Sequence, residues 1–268
     1  PKFLTAAFFV GAFWLVSNAS GGLLAQEKVR IGYIGLSLSS MPLLAARDLG
    51  LFAKNGIQAE LLMLTFQLSS VALNAGDLEY VAGVGPGSVS ATLGGSSSRA
   101  VWIVANRLIY NVIAQPEVKT LQELRGKRIG VSGLGATTHT AFTMAVEKAG
   151  ANPKDFIVVG LGPQQQQRAL ESKSIEAVIV DPPVLFVLLK KGFSKVLDIG
   201  AAVEMPVGGL TTLIKTLGAR PDQVRRVIRA LQEAKEALIA SKERSVDLIA
   251  KTMKMDQETA TKTHEMMA

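Results

Sequence analysis

The sequence has 268 residues, 48% hydrophobic and 19% charged, a balance that supplies a sizeable core and excludes a disordered tail protein. Lys and Arg number 29 against 22 Asp and Glu, a net charge of +7, but the basic residues are scattered and form no polyanion-binding block, so no nucleic-acid partner is expected. With 0 Cys and 2 His, a disulfide framework, a cysteine nucleophile and a thiolate or multi-histidine metal site are excluded, and neither metal nor cofactor is expected.

Residues 1–26 read as a secretory signal. Lys2 precedes an apolar run from Phe3 to Val16, and Ser17-Asn18-Ala19 supplies a small-x-Ala exit, with cleavage after Ala19 or after Ala25. The run is shorter than the roughly 20 residues of a spanning helix, so no membrane insertion is expected after cleavage. From Lys28 onward, short β-rich runs alternate with helix-period segments. Strands are expected at Val29–Ile34, Ala59–Leu64, Tyr80–Val84, Val101–Ala105, Asn111–Ala114, Arg128–Ser132, Phe156–Gly160, Ala177–Val180 and Val196–Ile199. Helices are expected at Met41–Asn55, Leu68–Ala75, Gly87–Leu93, Thr138–Ala149, Pro163–Ser172 and Pro182–Lys191. After about Gly208 the texture changes: Arg220-Pro221-Asp222 opens a long amphipathic helix through Ala240. The last helical pattern is still running at Ala268, and a longer C-terminal end is expected.

This alternation indicates an α/β fold with mainly parallel sheets, and an internal repeat divides it. Arg30-Ile-Gly-Tyr-Ile-Gly-Leu36 recurs as Arg128-Ile-Gly-Val-Ser-Gly-Leu134, each copy leading from a strand into a helix. Ala72-Leu73, Leu78-Glu-Tyr-Val81 and Pro86 align without gaps to Ala169-Leu170, Ile175-Glu-Ala-Val178 and Pro183. Two pairs at nearly one offset predict two lobes of similar topology: residues 27–108 with 209–268, and residues 109–208. The crossings are expected near 105–114 and 200–212.

Ligands of open parallel sheets sit beyond the carboxyl ends of the strands, where helix N-termini favour anionic or polar atoms. The loops there give as ligand-binding candidates Ser39, Ser40, Met41, Phe66, Gln67, Gly85, Pro86, Ser88, Thr137, Thr138, His139, Gln164 and Asp181. Ser39, Ser40, Thr137 and Thr138 equally suit helix capping, and Asp181 suits either a ligand amine or a cap. The set contains no Lys or Arg, although Arg99, Arg107 and Arg168 flank it. A multiply charged anion usually attracts an Arg fork, so a neutral solute or a monoanion is expected. Catalytic signatures are absent: there is no Walker lysine and no Gly-x-Ser-x-Gly elbow, and Gly133-Leu-Gly-Ala-Thr-Thr138 lacks the third glycine of a dinucleotide fingerprint.

Lys28-Val-Arg-Ile-Gly-Tyr33 and Met41-Pro-Leu-Leu-Ala-Ala-Arg-Asp-Leu-Gly-Leu-Phe-Ala-Lys-Asn-Gly-Ile57 resemble the opening of bacterial ABC-transporter substrate-binding proteins of the nitrate/sulfonate/taurine type. Gly76-Asp-Leu-Glu-Tyr-Val-Ala-Gly83, Leu121-Gln-Glu-Leu-Arg-Gly-Lys-Arg-Ile-Gly-Val131 and Ile175-Glu-Ala-Val-Ile-Val-Asp-Pro-Pro183 are similar to its further signatures. The resemblance implies a two-lobed periplasmic-binding-protein fold of type II, closing over a small polar or anionic organic solute (sulfonate-, nitrate- or carboxylate-like). It further implies a monomer in the periplasm that delivers this solute to an ABC permease. With no Cys, it is not a lipoprotein. Thiamine-pyrimidine synthases share the fold but rely on a cysteine-rich motif, so no enzyme is expected.

Overall fold

The structure, a computed structural model, describes residues 26–267. The signal read over residues 1–26 falls, but for its last residue, outside the described ones. Among the described residues, ten strands form two five-stranded sheets. The first holds β1 (Glu27–Tyr33), β2 (Ile57–Met63), β3 (Tyr80–Ala82), β4 (Ser98–Ala105) and β10 (Val207–Leu213), in the order β2-β1-β3-β10-β4. The second holds β5 (Asn111–Ala114), β6 (Arg128–Val131), β7 (Ile157–Gly160), β8 (Ala177–Val180) and β9 (Ser194–Asp198), in the order β7-β6-β8-β5-β9.

The two orders are one design. β1 runs parallel to β2 and β3, as β6 does to β7 and β8. Only β10 and β5 run against their neighbours, so four of the five strands in each sheet share a direction. The repeat in the sequence maps onto this symmetry bond by bond. Glu79 N donates to Arg30 O at 3.1 Å, and Glu176 N to Arg128 O at 3.0 Å. The glycine common to both copies has a steric reason: a Cβ on Gly32 would lie 2.7 Å from Leu78, and one on Gly130 would lie 3.0 Å from Ile175.

Helices flank both sheets. The first lobe carries α1 (Met41–Asp48), α2 (Leu51–Lys54), α3 (Phe66–Ala75) and α4 (Pro86–Leu93). The expected Met41–Asn55 helix breaks at Gly50, whose φ of 68° is left-handed and therefore cheap only for glycine. The second lobe carries α5 (Thr137–Lys148), α6 (Pro163–Glu171), α7 (Val184–Lys190) and α8 (Ile199–Ala202). The chain then returns through β10 to α9 (Ile214–Ala219), α10 (Pro221–Ala240), α11 (Lys242–Met253) and α12 (Gln257–Glu265). No helix among the described residues is long and apolar enough to cross a membrane.

The apolar stripe of α10, Val224, Val227, Leu231, Ala234 and Leu238, is buried in one core with Val29, Ile31, Leu44 and Phe52. A polar seam pins the same helix. Tyr80 OH donates to Gln223 Oε1 at 2.9 Å, Gln223 Nε2 donates to Glu27 Oε1 at 2.6 Å, and Arg226 pairs with Glu27. Tyr80→Phe leaves that amide oxygen buried and unpaired, so urea unfolding should report a loss of about 1–2 kcal/mol. An unchanged midpoint would mean that the seam contributes nothing.

The segments between the sheets are short. Residues 106–110 lead from β4 to β5, and Ile109 packs against the cores of both lobes. Gly200, just before the return, lies on the first segment so closely that a Cβ would stand 2.1 Å from Leu108 O. From the sequence, residues 200–212 read as a crossing, but Val207–Leu213 is a strand buried along its whole length. It carries no alternation because both faces are covered. Its glycines are required, since a Cβ on Gly209 would stand 2.1 Å from Trp102 O.

Candidate functional site

The carboxyl ends of β1, β3, β6 and β8 face one another across a cleft that is partly open to solvent. The Ile34–Ser37 turn and Ser39–Ser40 line it from the first lobe, and Ser132, Thr137, Thr138, Gln166 and Asp181 from the second. Tyr110 lines it from the segment between β4 and β5, and Gly208 from the start of β10. A second chamber of about 750 Å³ lies beside it, under α3 and α4. The two share Ile34, Gly83 and Thr137 as a common wall.

The lobes touch around the cleft. Leu38 N donates to Pro182 O at 2.9 Å, a backbone bond from one lobe to the other. The start of α4 sits on the start of α5: a Cβ on Gly87 would meet Thr137 N at 2.7 Å and Ala136 C and Gly135 O at 2.9 Å. Gly85 lies against the Thr137 side chain in the same way, and the Gln67 amide covers Gly133. The first amide of α5 is therefore closed over by lobe one and does not stand open to the cleft.

Of the candidates from the sequence, Ser39, Ser40, Thr137, Thr138 and Asp181 line the main cleft, and Phe66 and Ser88 line the second chamber. Gln67, Gly85 and Pro86 line neither; Gln67 and Gly85 form the contact between lobes. Met41 is fully buried in the first core, because it opens α1 with its side chain among Leu44 and Phe52. His139 also lies off the cleft: its Nδ1 accepts from Gly135 N at 2.9 Å, and burial holds its pKa below the ordinary value. Gln164 is exposed, whereas Gln166 is 2% exposed and lines the cleft. Two residues along a helix turn a side chain through roughly 200°, which separates the two glutamines.

Ser37, Tyr110, Ser132 and Gln166 are cleft residues that sequence reasoning missed. The repeat held a signal for one of them. Extending its gapless alignment backward pairs Ser69 of α3 with Gln166 of α6. Each lies almost fully buried at its chamber wall, and each has a side-chain oxygen without a partner.

Most hydroxyls of the cleft are already committed within the protein. Ser40 Oγ donates to Gly35 O at 2.8 Å, and Ser37 Oγ lies 2.9 Å from Ser39 Oγ. Thr138 Oγ1 accepts from Ser132 N at 2.9 Å and lies 2.7 Å from Ser132 Oγ. Asp181 differs from these. Its Oδ2 is shielded from solvent with no hydrogen-bond partner. Burial pushes the carboxyl up to about 7, against its own backbone amide and the Ser37 hydroxyl, which favour the charged form. The only other titratable group on the cleft wall is Tyr110, whose phenol is raised by burial and by the nearby Asp181. Among the described residues no Lys, Arg or His lines the cleft; Arg99 is turned to Ser96 O and Ser98 O, and Arg107 to Gly200 O.

Two lobes of one design, joined by short segments and closed on a cleft lined from both, define the periplasmic-binding-protein fold. Solved structures carry the same architecture. The alkanesulfonate-binding protein SsuA from Xanthomonas axonopodis pv. citri, bound to MOPS, matches with a TM-score of 0.77 at 19% identity, covering 89% of this chain and 83% of that one. The periplasmic nitrate-binding protein NrtA from Synechocystis PCC 6803 matches with a TM-score of 0.73 at 17% identity, over 87% and 68%. A Brucella abortus protein, provisionally named a binding protein, is 29% identical over 241 residues, 85% of this chain and 72% of its own length. Residues 37–245 match the family described as NMT1/THI5 like, and the chain belongs to that family.

Proposed function

We propose that this chain is an extracytoplasmic solute-binding protein that closes its two lobes on one small polar solute and delivers it to an ABC importer. The supporting observation is the cleft itself, walled by hydroxyls, an amide and one carboxyl from both lobes. In this reading residues 27–108 with 209–268 and residues 109–208 are the two jaws, and the segments around 106–110 and 203–206 are the hinge. Ser39, Ser40, Thr137, Thr138 and Asp181 hold the solute, together with Ser37, Ser132, Tyr110 and Gln166. The named functions of the fold's relatives, alkanesulfonate and nitrate binding among them, favour capture over turnover. The protein acts as a monomer in the periplasm after removal of residues 1–26.

A thermal-shift screen of small solutes tests the proposal. A true ligand at 100 times its Kd should add about 2.7 kcal/mol to stability, and the recovered solute should be chemically unchanged. Conversion of the bound compound to product would instead make the chain an enzyme on this fold.

A further inference from the structure

We infer that the cleft selects a solute whose head group is a hydrogen-bond-donating amine or amidine, received by Asp181 and Gln166, with an apolar tail in the chamber beside Phe66. This rests on the solute-binding reading and narrows it.

The unpartnered buried side-chain atoms on the main cleft wall are Asp181 Oδ2 and Gln166 Oε1, and both are oxygens. The orientation of the Gln166 amide is fixed, because its Nε2 donates to Leu161 O at 3.0 Å and an exchange of the two ends would set oxygen against oxygen. Gln166 therefore turns its unpartnered amide oxygen, an acceptor, to the cleft. An ionised carboxylate offers acceptors only. A buried acceptor without a donor is costly, and a ligand that brings N–H groups removes that cost at both positions. An oxyanion would instead bring further acceptors to a wall with no Lys, Arg or His among the described residues, where the hydroxyls of Ser37, Ser39, Ser40, Ser132 and Thr138 are already bonded within the protein. The amide at the start of α5, the natural anion site of such a loop, is covered by Gly87. The carboxyl, the absence of a basic side chain and the two unpartnered oxygens thus favour a cation over an oxyanion.

The tail follows from the second chamber. It adjoins the first at Ile34, Gly83 and Thr137 and is lined by Phe66, Leu73, Val81 and Ala91 among several serines, Asn74 and Thr211; most of its exposed surface is apolar and none of it is charged. A solute that fills both chambers has one donor-rich end and one apolar end.

Five compounds sharing a phenyl ring test the head group: benzamidine, benzylamine, benzamide, benzoate and benzenesulfonate. They are titrated by calorimetry into wild type and Asp181→Asn at pH 8 and pH 5.5, with circular dichroism confirming that the variant folds. Benzamidine and benzylamine should bind wild type most tightly at pH 8, where Asp181 is ionised. Asp181→Asn should weaken both at least tenfold, while benzamide changes little, and pH 5.5 should weaken both in wild type. Tightest binding by benzoate or benzenesulfonate would overturn the inference and leave the solute-binding reading intact. Equal binding of benzamidine by wild type and folded Asp181→Asn would do the same. Silence from all five also overturns it, and the solute-binding reading is then judged separately, by whether the two lobes close.

Discussion

Gly87→Leu should weaken solute binding by about two orders of magnitude while leaving the protein folded. The Cβ alone would stand 2.7 Å from Thr137 N and 2.9 Å from Ala136 C and Gly135 O, all backbone atoms of the opposite lobe. Backbone at a helix start cannot swing aside as a side chain can, so the closed arrangement becomes overpacked, at a cost of about 3 kcal/mol. That penalty corresponds to a loss on the order of 100-fold in affinity. It falls only on the closed form. In an opened protein the added side chain meets solvent, and within α4 leucine is a better helix former than glycine by roughly 0.8 kcal/mol. Unfolding of the unliganded variant should therefore be unchanged or slightly strengthened. A variant that binds normally would mean that α4 and α5 do not need to meet; one that fails to fold would mean that their contact is structural.

Asp181→Asn should remove a pH dependence of stability. The carboxyl has an ordinary value of 3.8 and is raised by burial to about 7 in the folded protein. Between those values the unfolded chain has released the proton and the folded chain still holds it. Folding then takes up a proton, and stability must fall as pH rises from about 4 to about 7, levelling off above. The closed form alone would lose on the order of 4 kcal/mol over that span. Opening the cleft lets water reach the carboxylate, so the measured loss should be smaller, about 1–2 kcal/mol, with the clamp opening as pH rises. Asp181→Asn should flatten this slope and raise the melting temperature at pH 8. A slope retained in the variant would place the titration elsewhere.

The legible parts of this chain are those whose signal is local. Asn111–Ala114, Ala177–Val180 and Pro221–Ala240 are found in the structure at their expected bounds. Each is fixed by a short apolar run between turn residues or by a long helical stripe. The symmetry of the lobes was legible as well, because Gly32 and Gly130 answer to the same close approach in each copy. What escaped depends on distant parts of the chain. β10 gives no periodic signal, since neither face meets solvent and Gly208 and Gly209 dilute it. Gly87 read as the start of a helix and Gly85 as a ligand contact, and only the opposite lobe reveals what they make room for. Gln164 was the amide expected at the cleft, but a shift of two residues on α6 makes it Gln166 instead. Met41 shows the converse error: its position before a helix suggested the site, yet its apolar side chain is driven into the core.

With no native cysteine in the sequence, two engineered ones can be labelled uniquely. Leu93 at the end of α4 and Lys148 at the end of α5 are both exposed, one on each lobe. Pulsed electron–electron resonance between spin labels at Leu93→Cys and Lys148→Cys should give two spacings. A solute that raises the melting temperature should shift the population to the shorter one, and Gly87→Leu should leave only the longer. A single spacing, unmoved by solute and by Gly87→Leu alike, would contradict a protein that works by closing its lobes.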